Sequence, residues 1–340
     1  MATAPLFFSS PDDLGLVGTS RAMEQLRETI RRVSRSDRPV LVVGPTGSGK
    51  ELVVRAIQAQ GDRAHDPLID VNCGAIPEPL MESFLFGHER GAFTGATRRQ
   101  EGSLTLVRRG TLFLDEIAEL PLALQTKLLR VFETRRFTAV GSAVVKQFAG
   151  RVVAATHASL EQRVAAKLFR EDLFYRLNVL TVRVPGLDER VEDIPLLAEH
   201  FCRQQARPLQ LTSGSIDLLC AVPWRGNVRQ LRNLIDRLAV FSETEVVSAD
   251  LLRRFLECDE TVERANDNAE APLESLIQSV LRLSGDNKLE AVTDALIAHA
   301  MAECGGNKSA VARMLGVHRK AIERRTEKAA RNKLSEALRS

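Results

Sequence analysis

Apolar positions along the chain change their period, and the changes divide it into segments. Between about Ser20 and Val33, Met23, Leu26, Ile30 and Val33 recur at three- and four-residue spacing with arginines between them, which predicts an amphipathic helix. A β-branched run follows from Pro39 to Val43, ends in the glycine-rich turn GPTGSGK, and gives way to a second helical stretch from about Glu51 to Ala59. Compact apolar runs bounded by polar breakers recur at Leu68 to Cys73, Thr111 to Leu114, Arg151 to Thr156 and Val179 to Val184. Strands alternating with helices predict an α/β domain whose mostly parallel sheet is covered on both faces.

After Pro185 the strand signals stop. Helical periodicity runs through Ile194 to Gln205, Ser213 to Ala221, Asn227 to Phe241 and Ser248 to Leu256, predicting a small all-helical subdomain. Residues 258–271 are acidic and polar with little to bury and predict a linker. A last helical block begins near Leu289. The expected division is a short extension over 1–13, an α/β subdomain over 14–186, a helical subdomain over 187–257, a linker over 258–290 and a C-terminal helical domain over 291–340.

Composition adds exclusions. With 340 residues, 44% hydrophobic and 27% charged, the chain is globular rather than disordered. It has no long uncharged apolar run for a membrane span, and its start lacks a secretory leader, so the expected location is the cytoplasm, with no membrane partner. Five scattered cysteines without a CxxC pair predict buried thiols rather than disulfides or a zinc site. The net charge of +3 hides an asymmetry: residues 305–340 carry +7 and the rest −4.

Gly44, Pro45, Thr46, Gly47, Ser48, Gly49 and Lys50 fit GxxxxGK between a strand and a helix, where backbone N–H groups converge on phosphates and Lys50 reaches the β and γ positions. The strand from Thr111 to Leu114 ends in Asp115 and Glu116 at the same sheet edge. Asp115 is the expected Mg²⁺ ligand and Glu116 the group that orients the attacking water, so ATP and Mg²⁺ are the expected cofactors. Glu51 follows Lys50 where Ser or Thr usually stands.

GxxGxGKE, an intact GAFTGA over Gly91, Ala92, Phe93, Thr94, Gly95 and Ala96, and GTLFLDEI at 110–117 together resemble the bacterial enhancer-binding proteins, the AAA+ activators of sigma-54 RNA polymerase. The similarity runs from about residue 14 to 256. Alone, a phenylalanine and a threonine among glycines and alanines predict a mobile loop with an apolar tip. The resemblance implies that this loop contacts sigma-54. It further implies that Asn72 pairs with Glu116 and switches it, that Arg170 and Arg176 reach into a neighbouring subunit's site, and that Arg229 in a helical lid senses the γ phosphate. A ring, by analogy a hexamer, is then the working form. His157 stands where this pattern normally has asparagine, which bears on sensing of the γ phosphate.

Near the C-terminus, Ala312, Gly316, Val317 and Ile322 have the spacing of a helix-turn-helix. With GGNKS at 305–309 before it, the segment resembles the Fis-type domain that ends most such activators. His318, Arg319, Lys320 and Arg324 are the expected contacts to double-stranded DNA. The rivals are a repressor of the same fold, opposed by the complete GAFTGA, and an AAA+ loader or chaperone, opposed by the helix-turn-helix. The segment before residue 14 is too short for a receiver or sensory domain, from which control by a trans-acting protein is expected.

Overall fold

The computed structural model describes residues 15–257, 288–314, 316, 317, 319, 320, 322, 324 and 325. The expected extension over 1–13 and most of the expected linker lie outside these residues. The chain divides into two compact units, Met1–Leu256 and Glu257–Ser340.

In the first unit, β1 (Val40–Val43), β2 (Leu68–Asn72), β3 (Thr111–Asp115), β4 (Arg151–Thr156) and β5 (Leu180–Arg183) form one sheet in the order β2-β3-β4-β1-β5. All four pairings are parallel. Period-two alternation explains the unbroken apolar runs. Val40, Val42, Phe113, Val153, Ala155 and Val182 face one core; Leu41, Leu112, Leu114, Val152 and Ala154 face the other. The three central strands are covered on both faces and read as apolar through their middles, whereas the edge strands admit exposed polar residues at Asp70 and Thr181.

One face is covered by α1 (Arg21–Ser34) and α2 (Lys50–Ala59). The Ser20 hydroxyl caps α1 by accepting from the Met23 N–H at 3.3 Å. Against the other face lie α3 (Glu78–Phe86), α4 (Leu122–Thr134) and α5 (Glu171–Leu177). Register places Val43 opposite Thr156 and Asn72 opposite Asp115, so the residues after β1, β3 and β4 leave from one edge of the sheet.

Two antiparallel ribbons escape the sequence pattern: Gly87–His88 with Gln100–Glu101, and Arg136–Thr138 with Val145–Gln147. At two and three residues, with single apolar side chains such as Phe137 and Val145 among polar ones, they carry no apolar run to detect. Beyond a short 3-10 turn over Asp188–Asp193, the helical subdomain packs α6 (Ile194–Gln204), α7 (Ser213–Ala221), α8 (Asn227–Phe241) and a helix over 249–257 around Leu197, Trp224, Leu231, Ile235 and Leu238.

The second unit contains α9 (Lys288–Glu303) and α10 (Lys308–Met314), with a core of Ile297, Ala300, Val311, Ala312 and Ile322. Val317, expected to hold the second helix, is 44% exposed, whereas Ile322 is buried. No described helix is long and apolar enough to cross a membrane.

Candidate functional site

The glycine-rich turn leaves β1 and enters α2 with Gly47 at φ +75° and Gly49 at φ +102°. A side chain on Gly47 would collide with the Gly226 carbonyl oxygen, so close contact with the helical subdomain demands glycine there. Around Gly49 no atom crowds the missing Cβ, which leaves that side of the loop open. The Ser48 hydroxyl is buried without a hydrogen-bond partner. An orphaned buried donor in a glycine-opened turn at the start of a helix is the chemistry of an anion cradle.

Lys50 begins α2 and is 8% exposed. Its ammonium donates to the carbonyls of Gly44 at 3.1 Å and Pro45 at 3.4 Å, and stands 3.8 Å from Glu116 Oε1. Burial pushes its pKa down, opposed by the charges of Glu116 and Asp115. A negative ligand here would relieve that penalty. The Glu51 carboxylate lies along α2 in a pair with Arg55 at 2.6 Å, leaving its backbone N–H in the first helical turn.

Asp115 ends β3. Burial raises its pKa first and the neighbouring Glu116 charge second. Glu116 adopts φ +48°, a left-handed conformation that costs a residue with a Cβ about 1–2 kcal/mol. That turn aims Glu116 Oε2 at His157 Nδ1, 2.7 Å away, while Oε1 faces Lys50. Two carboxylates crowded at one strand end, one made less acidic by burial, suit a divalent cation.

The expected partner of Glu116 is differently engaged. Asn72 Oδ1 accepts the N–H groups of Gly74 at 2.9 Å and Ala75 at 3.0 Å, capping its own turn. His157 bonds Glu116 in this structure. Its place after β4, opposite the end of β3, was the available sequence signal.

The helical subdomain reaches the phosphate loop through the start of α8. Arg229 N–H donates to the Gly47 carbonyl at 3.2 Å, and its charge contributes to lowering the Lys50 pKa. Asn227, which the sequence pattern leaves as an ordinary helix start, does more. Buried at φ +52°, it accepts the Leu187 N–H at 2.7 Å through Oδ1 and donates through Nδ2 to the Thr46 carbonyl at 3.0 Å.

Arg170 and Arg176 lie apart from this centre. Arg170 forks onto Asp172 at 3.0 and 2.7 Å, which raises its pKa further, and Arg176 donates to the Phe132 carbonyl at 2.8 Å. Arg170 is half-buried and Arg176 exposed, and among the described residues neither bonds the phosphate loop, Asp115 or Glu116.

GAFTGA forms a loop of turns between the strands of the Gly87–His88 ribbon. It closes on itself through Gly91 N–H to the Ala96 carbonyl at 2.8 Å and Ala96 N–H to the Phe93 carbonyl at 3.0 Å. Phe93 is 41% exposed; the rest of its ring lies edge-on to His88, with centroids 4.9 Å apart.

In the second unit Arg319, Lys320 and Arg324 are helical and exposed, while Arg325 pairs with Asp294 at 3.0 Å. His318 lies outside the described residues.

Comparison with known families adds three matches: the Sigma-54 interaction domain over residues 16–183, the AAA+ ATPase lid domain over 188–269, and the bacterial regulatory protein, Fis family, over 288–328. Transcriptional regulatory protein ZraR of Salmonella typhimurium is 40% identical over 327 residues, covering 94% of this chain and 70% of that protein. The chain belongs to the sigma-54-dependent transcriptional activators. NtrC of Azospirillum brasilense is 39% identical over 334 residues, covering 92% of this chain and 69% of NtrC. The structure of NtrX from Brucella abortus in complex with ADP superposes with a TM-score of 0.66 at 36% identity, covering 93% of this chain and 69% of NtrX. An ATP complex of the same protein scores 0.66 over 92% of this chain and 69% of NtrX. The activator is thus an AAA+ ATPase with a sigma-54 interaction domain, a helical lid and a Fis-type DNA-binding domain.

Proposed function

We propose that the activator binds ATP in the cradle from Gly44 to Glu51 and couples its hydrolysis to remodelling the closed sigma-54 polymerase complex at a promoter into an open one. The observation that carries the assignment of chemistry is the convergence of Lys50 and His157 on Glu116 beside Asp115. Lys50 and the loop N–H groups neutralise the phosphates. Glu116 takes the proton of the attacking water, and His157 holds its carboxylate in position until substrate arrives. Asn72 takes over as the partner of Glu116 in another nucleotide state. Asp115 is the residue to hold Mg²⁺, which supplies charge neutralisation at the transferring phosphoryl.

Arg229 senses the γ phosphate from the lid, because α8 meets the phosphate loop at Gly47. Arg170 and Arg176, both reachable from solvent and separate from their own chain's site, act on the site of the next subunit in a ring, by analogy a hexamer. Arginines supplied this way raise phosphoryl transfer by about a thousandfold or more. Gly91 to Ala96 engage sigma-54, with Phe93 and Thr94 at the contact. His318, Arg319, Lys320 and Arg324 contact an upstream DNA site, and the protein works in the cytoplasm.

Open-complex formation in vitro tests the assignment, using sigma-54 polymerase, an upstream site, ATP, and wild type beside Thr94→Ala and Glu116→Gln. Both variants should fail to open the promoter. Opening that is indifferent to sigma-54 or to Thr94 would sink the proposal.

A further inference from the structure

Beside the GAFTGA loop lies a groove of about 900 Å³, walled by the end of α3, by α4, and by the ribbon from Arg136 to Gln147. Its floor is apolar, formed by Phe86, Val131, Phe137 and Ala139. Its rim carries Arg130 and Arg136, both exposed, and among the described residues neither guanidinium has a hydrogen bond or ion pair. The carboxylate on the same wall, Glu82, is committed to Lys127. At the mouth, Val145 is 60% exposed.

The groove and the loop are mechanically one structure. Val140 N–H donates to the Gly87 carbonyl at 2.9 Å, Glu89 N–H donates to the Val140 carbonyl at 3.0 Å, and the Ala92 methyl abuts Gly141. A chain held at Phe93 and Thr94 would find this groove next to it. Unpaired guanidiniums over an apolar floor select carboxylates placed next to apolar side chains, a combination that a peptide offers and a nucleic-acid backbone does not.

We infer that the groove holds an extended segment of the sigma factor with acidic and apolar side chains, adjacent to the segment gripped by the GAFTGA loop. The inference rests on the proposed loop contact. In it the loop supplies the moving grip and the groove supplies the charge-selective hold.

The test titrates fluorescently labelled sigma-54 with the full chain bound to a non-hydrolysable ATP analogue, at low and moderate salt. Wild type is compared with Arg130→Glu/Arg136→Glu, Arg130→Lys/Arg136→Lys and Thr94→Ala. Charge reversal should weaken binding on the order of tenfold or more and flatten its salt dependence, while the lysine pair keeps most of both. Basal ATP hydrolysis and assembly by sedimentation should match wild type in both arginine variants. Wild-type affinity and salt slope after charge reversal would overturn the inference. So would a loss traced to failed assembly, which makes the groove a self-interface, or a loss confined to DNA binding. Thr94→Ala separates the two ideas. Loss at Thr94 without loss at the arginines removes the groove alone; loss at the arginines with wild-type binding by Thr94→Ala removes the loop contact and keeps the groove.

Discussion

Replacing Asn227 isolates the join between the lid and the phosphate loop. In Asn227→Ala the buried Leu187 N–H loses its 2.7 Å acceptor, and the Thr46 carbonyl loses its donor. Thr46 is exposed and its carbonyl regains water, whereas Leu187 is fully buried, so the orphaned Leu187 N–H dominates at about 1–3 kcal/mol. Alanine must also hold φ near +52°, a conformation asparagine tolerates, adding about 1 kcal/mol. The sum is about 2–4 kcal/mol. For a unit of this size it lowers the melting temperature by about 4–16 °C. Asn227→Gly loses the same bonds without the backbone strain and should melt about 2–4 °C above the alanine variant. Melting curves with and without ATP read both effects, and the stabilisation by ATP should shrink in each variant because Thr46 belongs to the cradle. If alanine melts within about a degree of wild type, or glycine melts no higher than alanine, the strain and bonding assigned to Asn227 are wrong.

Glu116→Gln should keep ATP binding, measured with a fluorescent analogue, and lose at least about a hundredfold in phosphate release, because only the proton acceptor is removed; loss of binding instead would count against the role. Arg170→Ala and Lys50→Ala should each be inactive alone, and mixing them should restore part of the ATPase rate if the guanidinium acts across a subunit boundary. Burial pushes the Cys73 thiol up to about 12 and Cys202 up to about 11, so alkylation of the native chain at pH 8 should spare both, while the unfolded chain reacts at every cysteine. A raised folded pKa means the unfolded thiols ionise first, so their contribution to stability is intact below the ordinary value of 9.0 and is lost as pH rises from there toward about 12; melting temperatures across that window give the sign.

The strands of the sheet were legible because its middle, covered on both faces, demands apolar runs, and GPTGSGK and DE were legible because each sits where such a run ends. What stayed hidden is polar and long-range. Residues 188–193 form a charged run of the kind that usually faces solvent, yet Arg190 is 4% exposed and Asp193 fully buried. Asp193 accepts the N–H groups of Thr19 at 2.6 Å and Ser20 at 2.9 Å and the Ser20 hydroxyl at 2.6 Å, while Arg190 donates to the Ser48 carbonyl at 3.3 Å. These partners lie about 140 to 175 positions away in sequence, beyond any periodic pattern. The bond from Asn227 to Thr46 is of the same kind, while His157 meets Glu116 across 41 positions, with its place after β4 as the one hint. Hydrophobic periodicity reports which surface a residue shares with its neighbours in the chain, so it locates the layers and their edges. A buried polar side chain is placed by one specific donor or acceptor from another element, and only the assembled fold brings that partner within reach. The joins between lid, amino-terminal segment and phosphate loop are of this second kind, which is why substitutions there should alter nucleotide handling in a chain whose core is intact.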